Sequence, residues 1–223
     1  MKLILLMLFL SFSLLYANIG KVVAISGDVQ IKRGSDFITA KLKSQLEKFD
    51  TVITKNNARV QFVFQDNTMI SVGKNSTFSV EDYLFDIGKK PKAAFKFGTG
   101  VFKTITGKIG KINPRGFKLK SKTASMGIRG TIVGLELSDQ EEIYLVPEGK
   151  IELKIGNKTI ILNAGDTVTK QRNKPVSRKT RISSKKRERF ERRSGAKQNE
   201  KESGLGENSR TTSVNNVEKC NYR

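Results

Sequence analysis

Few groups in this 223-residue chain could carry catalysis. It has no histidine and a single cysteine, Cys220, in a polar stretch near the C-terminus. Without histidine there can be no Ser-His-Asp or Cys-His nucleophile, no His-ligated zinc or haem and no imidazole pH switch. One cysteine also excludes an intramolecular disulfide and a four-cysteine zinc site. Carboxylate chemistry remains, and its candidates are Glu81-Asp82, Asp139 with Glu141-Glu142, and Asp166. Adjacent residues of an extended strand point to opposite faces, so Glu81 and Asp82 are not expected to work as a pair. Asp139 to Glu142 lies between two strand-like runs and is expected to form a solvated hairpin tip. The glycines at 98, 100, 107 and 110 lack the Lys-Ser/Thr and strand-to-helix context of a phosphate cradle. The chain is therefore expected to bind and not to catalyse, with no catalytic residue, metal or cofactor.

The other chemically conspicuous run is Gly127-Ile128-Arg129-Gly130-Thr131. Arg129 carries a fork of five donors with little steric cover on either side. It can clamp carbonyls or a carboxylate within the domain, or meet an anionic partner. The flanking glycines mark a strand that needs unusual dihedrals or close backbone approach.

Strands must position these residues. Val60, Phe62 and Phe64 alternate with Gln61, Val63 and Gln65; Ile151, Leu153 and Ile155 alternate with Glu152, Lys154 and Gly156. Period-2 alternation puts one set of side chains on a core face and the other in solvent. Turn residues interrupt the runs at Gly27-Asp28, Gly34-Ser35, Asn56-Asn57, Asp66-Asn67, Lys74-Asn75, Gly156-Asn157 and Gly165-Asp166. The fold class is all-β: a single domain of many short strands, as an elongated sheet of solenoid- or sandwich-like form. Thr39 to Phe49 fits a short helix or an irregular crossover equally well.

The segment Ala124 to Thr131 resembles the "A-x-x-G-V-R-G-T" run of the FecR domain of bacterial exported proteins, with Ile128 in place of Val. Gly20 to Val29, including Gly27-Asp28, resembles the opening strand pair of that family. Phe49 to Thr54 resembles its "G-D-x-I-x-T" element, and Gln65 to Val72, with Asp66, its "D-G-S-x-L-x-L" hairpin. Glu148 to Leu153 and Leu162 to Asp166, with Gly165-Asp166, resemble its closing strands. The resemblance covers about residues 19–170. It implies a non-enzymatic periplasmic module for protein interaction, sensing or signalling. Its partner would be another envelope protein, received along a strand edge or at Arg129 as the candidate binding residue. Gly127, Gly130, Thr131, Gly27, Asp28, Asp66, Gly165 and Asp166 would be framework positions. Phe49 stands where the family has Gly, and because Phe disfavours the left-handed conformation a different turn is expected before Asp50.

The termini differ from the body. Met1-Lys2 precedes an uncharged apolar run from Leu3 to Ala17, too short to span a bilayer. It reads as a secretory signal over 1–17, which places a mature chain in the periplasm of a Gram-negative bacterium. If the signal is cleaved, the product is not an integral membrane protein. The β domain is expected over 18–169. About half of the formal charge of +21 falls in a tail over 170–223, with 17 basic and 6 acidic residues, expected to be largely disordered. Lys185, Lys186, Arg187, Arg189, Arg192 and Arg193 are its candidate polyanion contacts, and Ser183-Ser184 to Gly195 could form a short helix. Anionic lipid or glycan suits them better than nucleic acid, because stacking aromatics are missing. An alternative function follows: an envelope-association protein tethered through the tail.

Overall fold

The computed structural model describes residues 18–195, apart from the side chain of Arg129. In chain order its strands are β1 (Gly20–Ser26), β2 (Val29–Arg33), β3 (Asp36–Thr39), β4 (Gln45–Leu46), β5 (Thr51–Thr54), β6 (Arg59–Phe64), β7 (Met69–Val72) and β8 (Ser76–Leu84). They continue as β9 (Lys92–Phe97), β10 (Gly100–Ile105), β11 (Phe117–Lys120), β12 (Ala124–Leu137), β13 (Glu141–Ile155), β14 (Lys158–Asn163), β15 (Asp166–Gln171) and β16 (Thr180–Arg181). Among the described residues there are two α-helices, α1 (Lys108–Ile112) and α2 (Ser184–Ser194), and a 3-10 turn at Pro114–Gly116.

All strands belong to one hydrogen-bonded sheet that folds over on itself into two layers. The hinge is the pair of long strands β12 and β13. The first half of β12 pairs with β11 and its second half with β10. The second half of β13 pairs with β14 and its first half with β15. The first layer therefore runs β3-β2-β5-β8-β9-β11-β12-β13-β14, and the second β4-β1-β6-β7-β10-β12-β13-β15-β16. Pairing is antiparallel throughout except for β9 with β11.

Between the layers, inward-facing aromatics meet: Phe62 and Phe78 at 6.1 Å between ring centroids, Phe64 and Phe95 at 4.8 Å, and Phe97 and Phe102 at 4.9 Å. All six are at most 2% exposed. This apolar interface is the dominant favourable term for the fold, and it explains why the domain holds without disulfides. Of the two arrangements open from sequence, the sandwich-like one is realised.

Of the two readings open for Thr39 to Phe49, the crossover is the one realised, with β4 inside it and no helix. Leu42 is 57% and Phe49 69% exposed while Leu46 is fully buried, so a helical apolar stripe there would have had no core to meet. The basic tail is not disordered where it is described. Strand β15 continues to Gln171, β16 pairs with it, and α2 packs on the second layer. The physical reason is one side chain: Phe190 is 1% exposed and packs with Val101 and Leu145. The ends of α2 are set by Ser183, whose hydroxyl accepts from the Lys186 N–H at 3.3 Å, and by Gly195 in the left-handed conformation at φ 72°. The signal run over 1–17, Cys220 and residues 196–223 lie outside the described residues.

Candidate functional site

The run that stood out in the sequence sits at the hinge. Gly127 lies on the outer face of β12, between Lys118 of β11 and Glu152 of β13. Ile128 turns into the core. Gly130 has φ +58°, and the register of β12 against β13 shifts between Arg129 and Ile132. This bulge moves β12 from one layer to the other. Thr131 is buried and fastens the bend. Its N–H donates to Thr106 Oγ1 at 2.8 Å and its hydroxyl to the Lys150 carbonyl at 3.0 Å. The backbone of Arg129 pairs with Lys150, and its side chain lies outside the described part of the structure.

The landmark aspartates turn out to be clamps on turns. Asp50 is fully buried. It accepts from Arg33 Nε at 2.9 Å and Nη2 at 2.7 Å, and from the Glu47 N–H at 2.8 Å. The Asp50 hydrogen bond, with the charges of Asp50 and Glu47, raises the Arg33 pKa against the opposing effect of burial. This clamp explains why the turn before Asp50 keeps the geometry of a glycine turn, contrary to expectation. Phe49 takes φ 72°, its N–H bonded to the Val80 carbonyl at 3.0 Å. That conformation costs about 1 kcal/mol for a non-glycine residue. Asn67 occupies the same region at φ 64°, as its type allows.

Asp66 is buried and pairs with no cation among the described residues. It accepts from Thr68 Oγ1 at 2.7 Å, Tyr83 Oη at 3.0 Å and the Ile109 N–H at 3.2 Å. Burial, then the Asp66 charge, pushes the Tyr83 phenol well above its ordinary range. Asp166 loses stability of its charge to burial. The Asn163 N–H, Arg181 and Lys179 outweigh that and hold its pKa below the usual value. Gly27, at φ 75°, packs its turn against Ala58, and the Asp28 carbonyl accepts from the Lys55 N–H at 3.0 Å. Gly165, at φ 83°, lies under the Arg181 guanidinium.

The carboxylates do not assemble into a catalytic group. Glu81 pairs with Lys120 at 2.6 Å, and Asp82 pairs with Lys48 at 2.7 Å and Lys92 at 2.6 Å. A bulge between Val80 and Asp82 breaks the alternation, so both pair with lysines, not with each other. Glu142 was expected at a solvated tip but is buried, accepting from Ser121, Thr123 and Tyr144 hydroxyls. Among the described residues no group of His, Cys, Asp or Glu is arranged to hold a metal ion, and no helix is long and apolar enough to cross a membrane.

What the chain does present is exposed sheet edge. Strand β3 pairs only with β2, and all four of its residues are exposed. Ala40 N–H donates to the Val29 carbonyl at 2.8 Å. By the alternation of an antiparallel ladder, Phe37 and Thr39 therefore turn their N–H and C=O groups to the open side. Phe37 is 60% and Ile38 41% exposed. A strand edge was expected from sequence without being located; its signal is Phe37-Ile38 beside the turn at Gly34-Ser35.

Residues 50–152 match the family described as FecR protein. That stretch is a FecR domain. Within the matched stretch fall Asp50, Asp66 and the Gly127 to Thr131 hinge, while Gly27, Asp28, Gly165 and Asp166 lie outside it. Two crystal structures of a candidate anti-sigma factor from Parabacteroides distasonis are similar at 12% identity and TM-score 0.49, over 59% of this chain and 59% of that protein. No curated protein sequence matches the chain.

Proposed function

We propose that this FecR domain is a non-enzymatic interaction module of the Gram-negative periplasm, used in signalling, that receives another envelope protein along the β3 edge. One observation carries the reading. An edge strand with open hydrogen-bonding groups and exposed Phe37 and Ile38 is what an incoming strand needs: main-chain bonds give affinity and side-chain contacts give selectivity. FecR membership supports a regulatory module, and the turn-bound aspartates support a rigid scaffold without chemistry.

The test is photo-crosslinking in intact cells. A benzoylphenylalanine at position 37 should give a discrete adduct with an envelope protein, lost when Thr39→Pro removes an outward N–H. The same probe at Ile87, 99% exposed and distant in sequence, should not give it. An adduct that survives Thr39→Pro, or one equally strong from position 87, would rule out strand addition at β3. Arg129→Ala should leave the adduct intact.

The tethering alternative rests on Lys185, Arg189 and Arg192, which are exposed on α2 and form no ion pair among the described residues. Lys186, Arg187 and Arg193 are engaged with Thr167, the Pro147 carbonyl and Glu136 on the domain itself. Reversing the three exposed charges should release the protein from envelope fractions if the tether operates; unchanged retention counts against it.

A further inference from the structure

The outer face of the first layer has an order that register alone reveals. Lys96 of β9 lies opposite Lys120 of β11, which lies opposite Ser125 of β12, then Lys154 of β13 and Thr159 of β14. These side chains form one row perpendicular to the strands. Adjacent strands are about 4.8 Å apart, so Lys96 and Lys154 stand about 14 Å apart along it. The next row holds Lys118, Gly127 and Glu152. Lys96, Lys118, Lys150 and Lys154 are exposed and make no ion pair among the described residues. Among the described residues, Glu152 is the one acid that β9 to β14 themselves place on this face, and Glu81 of β8 reaches onto it to pair with Lys120.

At the centre of the patch is a glycine with no steric reason to be there. A Cβ at Gly127 would meet nothing within 4 Å, and its φ is not in the left-handed region. Glycine in a strand interior destabilises by about 0.5–1 kcal/mol relative to alanine. Such a glycine marks close approach of another group to the backbone.

We propose that this face binds a linear anionic glycan, laid across the strands with one sugar ring flat against the backbone at Gly127. Lys96 and Lys154 of the row take its anionic groups, Lys120 being held by Glu81, and Ser125 and Thr159 between and beyond them hydrogen-bond its hydroxyls. Glu152 accepts from a ring hydroxyl. Ile161, 41% exposed across from Glu152, meets an apolar ring face. The alternatives fit less well. No aromatic side chain on these strands faces outward for base stacking, and Ile161 alone is too little apolar surface for insertion into lipid. The site is on the opposite layer from α2 and independent of the β3 reading.

Calorimetric titration with a polygalacturonate octamer tests this, with a neutral α-glucan octamer, polyphosphate, single-stranded DNA and phosphatidylglycerol vesicles as comparators. Polygalacturonate should bind and the neutral glucan should not. Lys96→Ala and Lys154→Ala should each weaken binding about three- to tenfold, as loss of a charge-assisted contact does. Gly127→Val should weaken it at least about tenfold with no fall in melting temperature, because the new side chain fills only the ligand's space. Thr39→Pro should leave binding unchanged, so failure of the edge reading does not bear on this one. Full affinity in Gly127→Val, equal affinity for polyphosphate, DNA or vesicles, or no binding to polygalacturonate would each overturn the proposal.

Discussion

Strand β12 carries two outward-facing glycines with different fates. At Gly134, on the second layer, the space above the backbone is filled by the Phe190 ring: a Cβ there would come within 2.5 Å of it. Around that ring, Lys103 pairs with Glu191 at 3.0 Å and Glu136 with Arg193, and the carbonyl of Arg193 closes over Gly73. At Gly127, on the first layer, the corresponding space is open. The second layer shows what a missing side chain on this sheet is for, which is to seat a group against the backbone. That group is part of the chain at one site and has to come from outside at the other.

The contrast predicts a graded set of effects. Phe190→Ala should do most damage, about 3 kcal/mol in denaturant unfolding, through loss of a fully buried aromatic. An 11-residue polar helix is marginal alone, so the helical circular-dichroism signal of α2 should fall with it. Gly134→Val should cost about 2 kcal/mol by overpacking against the ring. In the double variant with Phe190→Ala the two losses should be far from additive; simple addition would mean that Gly134 and Phe190 do not share a site. Gly127→Val should go the other way and gain about 1 kcal/mol, because a β-branched residue replaces glycine in an open strand position. A comparable loss would show that the two glycines serve the same structural need. The smallest effect concerns the approach to α2. The folded pKa of Asp166 is depressed, so its stabilisation is present above the ordinary aspartate value and is lost as pH falls through the lower folded value. Hydrogen exchange at Ile182, whose N–H donates to the Gly165 carbonyl at 2.8 Å, should speed up below about pH 4 and lose that pH dependence in Asp166→Asn.

Most of the strands were legible because their alternation survives in the structure: Ile151 and Leu153 are buried while Glu152 and Lys154 are exposed, although in β6 Gln61 is buried beside Val60 and Phe62. The family's framework was legible too, because a turn needing a left-handed residue or a buried acceptor leaves Gly, Asn or Asp in the sequence. The geometry at Phe49 was not, since the ion pair that enforces it joins Arg33 to Asp50, 17 residues apart. The docking of α2 was hidden for a similar reason. Its caps were visible, but the one apolar residue in a basic run gains its meaning only from Gly134, far earlier in the chain. The lysine row is a property of cross-strand register, and no single segment contains it.

The path of the chain between the two layers bears on how the domain comes into being. Strands β1, β4, β6, β7 and β10 belong to one layer while β2, β3, β5, β8, β9 and β11 belong to the other, so the chain crosses back and forth before the hinge strands are reached. No strand of one layer pairs with a strand of the other until β12 and β13 are in place. A chain emerging from its N-terminus therefore has no smaller stable unit to settle into, and most of its pairing energy arrives late and from distant partners. Folding should be slow and all-or-none, leaving the first 120 or so residues open to chaperones and proteases until the hinge emerges.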